Sequence, residues 1–105
     1  MIIFTKIKSL YPVSDSCFLL NTAYKKRPVK NDPLKKNITT AKDCQKECLN
    51  HDECKYWTWK SPEVSDFWSR NFCYLREGIG IIVSGKKSTI GKISGPKRCK
   101  EKDAN

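Results

Sequence analysis

Cys44, Cys48, His51 and Cys54 fall within eleven residues. They offer three sulfurs and one nitrogen, nominally a tetrahedral zinc set. The same cysteines can instead enter disulfides. The chain holds six cysteines, and three on a metal would leave Cys17, Cys73 and Cys99 with an odd thiol. Disulfides are therefore expected, with no metal and no other cofactor. His51 then reads as a solvated residue past a helix end, its imidazolium suited to the negative end of the helix dipole. Catalytic chemistry finds little material. There is a single histidine, no spare thiol once all six pair, and no GxSxG, P-loop or HExxH motif. The acids are scattered, or stand in the turn-like Asp52-Glu53. No enzymatic activity is expected.

Composition narrows the setting. A chain of 105 residues is one domain by length, with a modest core. Six cysteines in it point to an oxidising compartment, hence a secreted or extracellular protein. No run approaches the ~18 apolar residues of a membrane span, so membrane insertion is not expected. A net charge of +10 directs attention to acidic partners. The disulfide chemistry argues against an intracellular nucleic-acid role, which leaves acidic or sulfated glycan or an acidic protein surface. The first ten residues are interrupted by Lys6 and Lys8 and hold no apolar h-region. The expectation is a module of a longer, multidomain protein, with residues 1–16 as an N-terminal extension or linker and 100–105 as a polar tail.

The elements that would position these groups follow from pattern. Residues 17–20 (CFLL) read as a buried strand. Residues 25–36 (KKRPVKNDPLKK) carry six basic residues, and Pro28 and Pro33 exclude a helix, so this is a basic loop. Asn37-Ile38-Thr39 is a glycosylation sequon on it, with Asn37 the acceptor. Thr40 reads as an N-cap, with Asp43 three residues on, close to a capping box. A helix of about ten residues follows, too short to persist alone in water. Its buried stripe would be Ala41, Cys44, Cys48 and Leu49, opposite Lys42, Gln45 and Lys46. Residues 55–60 and 71–76 alternate as strands do, and pair as a hairpin around the long 61–70 loop. Residues 78–85 form a connection and short strand, 86–87 a turn, 88–93 a further strand, and 94–96 a turn.

Six cysteines allow fifteen pairings. Cys44 and Cys48 share a helix face, so joining them would compete with tying the helix to strands. Cys48 and Cys54 can close a short loop across the helix end. Cys44 can then reach Cys73 on the hairpin, and Cys17 and Cys99 remain at the two ends. This nested set, Cys17–Cys99, Cys44–Cys73 and Cys48–Cys54, is the expectation. Trp57 and Trp59 lie on one strand face and belong to the core. Phe67 and Trp68 sit in the 61–70 loop and are expected to fold back as a lid, with a protein-contact patch as the alternative. The cations fall in two blocks, one over residues 25–36 and one over 86–102. A Cys17–Cys99 bond would help to merge them, with Lys25, Lys26, Arg27, Lys97 and Arg98 as glycan-binding candidates. Lysine outnumbers arginine in these blocks, so bidentate anion recognition is not strongly signalled.

Several of these segments together resemble the PAN/Apple domain family: CFLL (17–20), AKDCQKEC (41–48), CKYWTW (54–59), CYL (73–75) and ISGPKRC (93–99). The likeness spans residues 17–99, and its SGPK turn is most similar to the modules of apicomplexan micronemal adhesins. The resemblance implies an α+β fold, with one short central helix packed on a twisted antiparallel sheet and cross-linked by three disulfides. It also implies a non-catalytic extracellular adhesion module that binds proteins or carbohydrates, stored in a secretory organelle in the adhesin case. The resemblance carries over no ligand site. A protein–protein interaction module within a multidomain secreted protein, or a stand-alone secreted inhibitor, is the alternative.

Overall fold

The computed structural model describes residues 17–25 and 27–99. The expected extension (1–16), the polar tail (100–105) and Lys26 lie outside them. The described chain runs β1 (Leu19–Leu20), β2 (Thr22–Tyr24), β3 (Leu34–Lys35), α1 (Ala41–Leu49), β4 (Tyr56–Lys60), β5 (Cys73–Arg76), β6 (Ile82–Ser84) and β7 (Lys92–Pro96). Two 3₁₀ turns, Phe67–Ser69 and Lys87–Thr89, interrupt the connections. One antiparallel sheet has the order β1-β7-β4-β5-β3, and β2 pairs with β6 in a separate two-stranded ribbon. The helix packs on the sheet and three disulfides cross-link the whole: Cys17–Cys99, Cys44–Cys73 and Cys48–Cys54. Fold class and all three pairings are as expected from the sequence.

The helix begins where the sequence places it. Thr40 is extended (φ −142°, ψ 157°) and its hydroxyl accepts the Asp43 N–H at 3.0 Å. That satisfies one of the four orphan donors of the first turn. Cys44 and Cys48 are fully buried and bind the helix to β5 and to the turn before β4. Gln45 corrects the expectation: it is 1% exposed, on the buried stripe. It stands one turn after Ala41, so helical geometry carries it to the same face. Its Nε2 donates to Lys97 O at 3.5 Å.

β4 is the axis of the sheet, paired along its length with β7 and over four residues with β5. Trp57, Trp59, Cys73 and Leu75 face the helix and form the core with the disulfide sulfurs. Each indole N–H finds a carbonyl, Trp57 that of Pro96 at 2.9 Å and Trp59 that of Ile38 at 2.7 Å. Phe18 meets Trp57 edge-on, 4.8 Å between centroids.

Residues 94–96 are not a turn but the end of β7. Gly95 is there for space, because a Cβ would stand 2.7 Å from the Trp57 ring. Lys97 N–H donates to Lys55 O at 2.8 Å. The neighbouring Pro96 therefore occupies a non-hydrogen-bonded ladder position, where a missing N–H costs nothing.

The expected buried strand at 17–20 is a two-residue edge strand, and Leu20 is 67% exposed. The chain turns sharply at Asn21 (φ 52°), a left-handed position that Asn tolerates. This lifts β2 out of the first sheet and onto its other face. Asn21 Oδ1 accepts the Gly91 N–H at 2.9 Å and holds the turn. The 25–36 stretch is likewise more than a loop. Val29 is buried in the core, Leu75 N–H donates to Pro33 O at 2.8 Å, and β3 lines the far edge of β5.

Candidate recognition surfaces

The cysteine cluster of the opening is entirely scaffold. Cys44, Cys48 and Cys54 are in disulfides, so none is a thiolate ligand. Among the described residues no group of three or more histidines, cysteines or carboxylates could hold a metal ion. His51 lies just past the helix end, as expected, and is half-buried with contacts of its own. Its Nδ1 accepts the Glu53 N–H at 3.2 Å, which leaves Nε2 to donate to Asn31 O at 2.7 Å. The ring thus bridges the helix end and the 25–36 stretch.

The 61–70 loop presents the aromatics outward. Phe67 and Trp68 are 60% and 76% exposed, and their rings stack 4.8 Å apart at 21°. They do not form a lid, because the space beneath the loop is filled by Val64, which is 4% exposed. The loop is firmly tied. Asp66 caps the 3₁₀ turn, Oδ1 accepting the Trp68 N–H at 3.3 Å and Oδ2 the Ser69 hydroxyl at 3.2 Å. Arg70 Nε donates to Val64 O at 3.1 Å. At the base, Ser61 N–H donates to Gly91 O at 3.0 Å. Gly91 (φ +87°) lies so close that a Cβ would meet Val64 N at 2.7 Å.

The first set of cations is partly gathered. Glu77 N–H donates to Arg27 O (2.7 Å), Lys55 N–H to Arg76 O (2.8 Å) and Lys97 N–H to Lys55 O (2.8 Å). These bonds bring the backbones of Arg27, Lys55 and Lys97 side by side at one end of the sheet, with Glu77 among them. Lys55 was missed as a member of this row. Lys97 Nζ is committed to His51 O at 3.0 Å, and Arg98 is exposed beside it. Lys25 is on the two-stranded layer, its N–H bonded to Ile81 O at 2.9 Å. Asn37 is exposed, at φ 61° in the turn before the helix.

A second cationic group was not anticipated. On the sheet face away from α1, Lys60 and Lys92 are direct cross-strand partners. Lys60 Nζ and Arg76 Cζ each lie 5.3 Å from the Tyr74 ring centroid. Burial, and then the charges of Lys60 and Arg76, hold the Lys92 ammonium below its ordinary range. Burial likewise lowers Arg76, with Tyr74 opposing. The signal in the sequence was parity, since Lys60 closes one alternating run and Arg76 the other. Their convergence with Lys92 depends on a register the sequence does not print.

No family model matches the chain, and no curated protein is recognisably similar to it. Three disulfides mark a protein that matures in an oxidising compartment. Among the described residues no helix is long and apolar enough to cross a membrane.

Proposed function

We propose that this chain is a non-catalytic, extracellular recognition module of the PAN/Apple type. Its disulfide-fixed sheet and helix hold loops that bind a partner surface. The observation that carries the reading is the Phe67–Trp68 stack, two large aromatic rings held outward on a capped turn. Large exposed apolar side chains on a rigid turn lose little entropy on binding, and aromatics are the usual anchors of protein interfaces. The partner is therefore a protein surface. The test is binding of fluorescently labelled protein to intact cells, before and after protease shaving. Wild type should bind, shaving should remove the signal, and Phe67→Ala/Trp68→Ala should reduce it at least tenfold with unchanged circular dichroism. Wild-type staining that survives shaving, or a double variant that stains equally, overturns the reading.

A second reading is favoured by the row of cations at one sheet end. Arg27 and Lys97 stand there with Lys55, Arg98 beside them and Lys25 on the adjoining ribbon. Together they offer a track for a sulfated glycan. Retention on heparin should fall steeply with salt, as surface electrostatics require, and Arg27→Ala/Lys97→Ala should elute earlier. Elution of the wild type at or below physiological salt removes this reading.

A further inference from the structure

Beside the root of the 61–70 loop a cleft of ≈ 210 Å³ is lined by Lys60, Lys92, Lys87, Ser65, Ser88 and Asp66, with the apolar Val64 and Ile90 completing its wall. Three lysines thus line one small hollow against a single carboxylate. Like charges directly opposite each other in a ladder are destabilising, and Lys60 and Lys92 are such a pair. Both are half-buried. Lys60 Nζ is further held by Ser69 Oγ at 3.0 Å. Asp66 supplies one negative charge against the three lysines; its oxygens accept from Trp68 N–H and Ser69 Oγ, and it forms no salt bridge with a lysine among the described residues. The described salt bridges join Lys35 to Asp32 and Glu47, and Lys46 to Asp43, and none reaches Lys60, Lys87, Lys92 or Arg76. Arg76 adds a fourth positive charge across the Tyr74 ring. Its Nε is buried with no hydrogen-bond partner among the described residues.

We infer that this cleft is a binding site for a tetrahedral oxyanion, a sulfate or phosphate ester, held by Lys60, Lys87 and Lys92 with the Ser65 and Ser88 hydroxyls as further donors. Charge selects an anion. Size selects a single group over a polymer track, since ≈ 210 Å³ is below the roughly 300–1,000 Å³ of sites that enclose whole small molecules. Lysines hold phosphate-type groups as point charges, so three of them can engage one anionic group from several directions. The site does not depend on the Phe67–Trp68 stack meeting a partner. It lies one residue from that stack in sequence, so an anionic group on a bound partner could engage both.

The test is a ¹H–¹⁵N titration of the full chain with sodium sulfate, glucosamine 6-sulfate and O-phosphoserine, each against sodium chloride of equal ionic strength. Saturable shifts are expected at the amides of Ser65, Lys87, Ser88 and Lys92, absent with chloride. The two esters distinguish a sulfated from a phosphorylated source by their relative affinity. Lys60→Met/Lys92→Met should weaken binding at least tenfold, while Lys30→Met/Lys46→Met, which removes the same charge elsewhere, should not. Lys87→Gln, at the exposed rim, should weaken it several-fold and serves if the double variant does not fold. Shifts no larger than those of chloride, or equal loss in the control double variant, overturn the inference. Phe67→Ala/Trp68→Ala should retain oxyanion binding even if it loses the cell surface, so the two proposals fail separately.

Discussion

The two faces of β4 are built on opposite principles. Toward α1, Trp57 and Trp59 lie against Leu75, Val29 and the Cys44–Cys73 and Cys48–Cys54 bridges. Away from it, Tyr56, Thr58 and Lys60 meet a polar layer. Tyr24 N–H donates to Thr58 Oγ1 at 2.9 Å, Thr58 shares a hydrogen bond with Ser94 at 2.8 Å, and Ser94 Oγ donates to Thr22 O at 2.6 Å. Tyr24 lies over Tyr56, 4.5 Å between centroids. One face is closed by burial and covalent bonds, and the other by hydrogen bonds that cover only part of it. The uncovered part carries Lys60, Arg76 and Lys92. The division teaches where change is tolerated. The division predicts that stability is concentrated on the helix face, while the exposed part of the outer face and its loop contributes less to the fold.

The sharpest way to break this comparison is at the buried bridge. Cys44→Ala/Cys73→Ala opens a loop of 29 residues' separation. The chain-entropy model puts the loss at about 3–4 kcal/mol. Urea unfolding of the oxidised protein and the variant measures it, and a loss under about 1 kcal/mol would place the stability elsewhere. Next is Gly95→Ala, whose new methyl would press on the buried Trp57 ring. Overpacking of this kind costs about 1–3 kcal/mol, and the Trp57 indole environment should change in near-ultraviolet dichroism. On the opposite face, Thr58→Val keeps the shape but strips the acceptor from the Tyr24 N–H, while the Ser94 hydroxyl keeps Thr22 O. Leaving such a group unsatisfied costs about 1–2 kcal/mol. If Thr58→Val costs more than Gly95→Ala, the hydrogen-bonded face is the stronger one and the comparison inverts.

The helix face was legible in the sequence because its rules are local. Thr40 with Asp43 sets the helix start, alternation places Trp57 and Trp59 together, and the cysteine spacing confines the pairings. The outer face was not legible because it is made by register and by a short crossing. β2 is three residues long, too few to show a period, and it leaves the first sheet by a left-handed Asn21 that no pattern announces. Ser94-Gly95-Pro96 had the composition of a turn, although Gly95 serves the Trp57 ring and Pro96 falls where no N–H is needed. Lys60 and Lys92 are 32 residues apart and become neighbours only through the β4–β7 register. The aromatic pair misled for a related reason, since Val64 already fills the place a lid would take.

Phe67→Ala/Trp68→Ala should change stability by less than about 0.5 kcal/mol, because exposed rings contribute little to the fold. A thermal scan separates this from any loss of binding. A large fall in melting temperature would make the stack structural and remove it as a contact surface.

The smallest expected effect has the opposite sign. Lys92 faces Lys60 across the ladder, with Arg76, Tyr74, Lys87 and Asp66 as the other ionisable groups around it. Burial and the two neighbouring cations lower its pKa below the ordinary 10.5. In the window just below 10.5 the unfolded chain therefore binds more protons at this residue than the folded one. At this site, folding becomes more favourable as pH rises through that window. Lys92→Met removes the penalty outright. It should raise the melting temperature slightly at neutral pH, and the advantage should fade above pH 10.5 as the wild-type amine loses its proton in both states. Tyr24 runs the other way: burial and then Tyr56 raise its pKa, so both proteins lose stability above 10.0 as the phenol ionises. Subtracting the variant's melting curve from the wild type's cancels that common loss. If the difference shows no pH dependence, Lys92 is not penalised by its neighbours. The cationic cleft would then be an ordinary solvated surface, and the outer face would lose its claim to hold an anion.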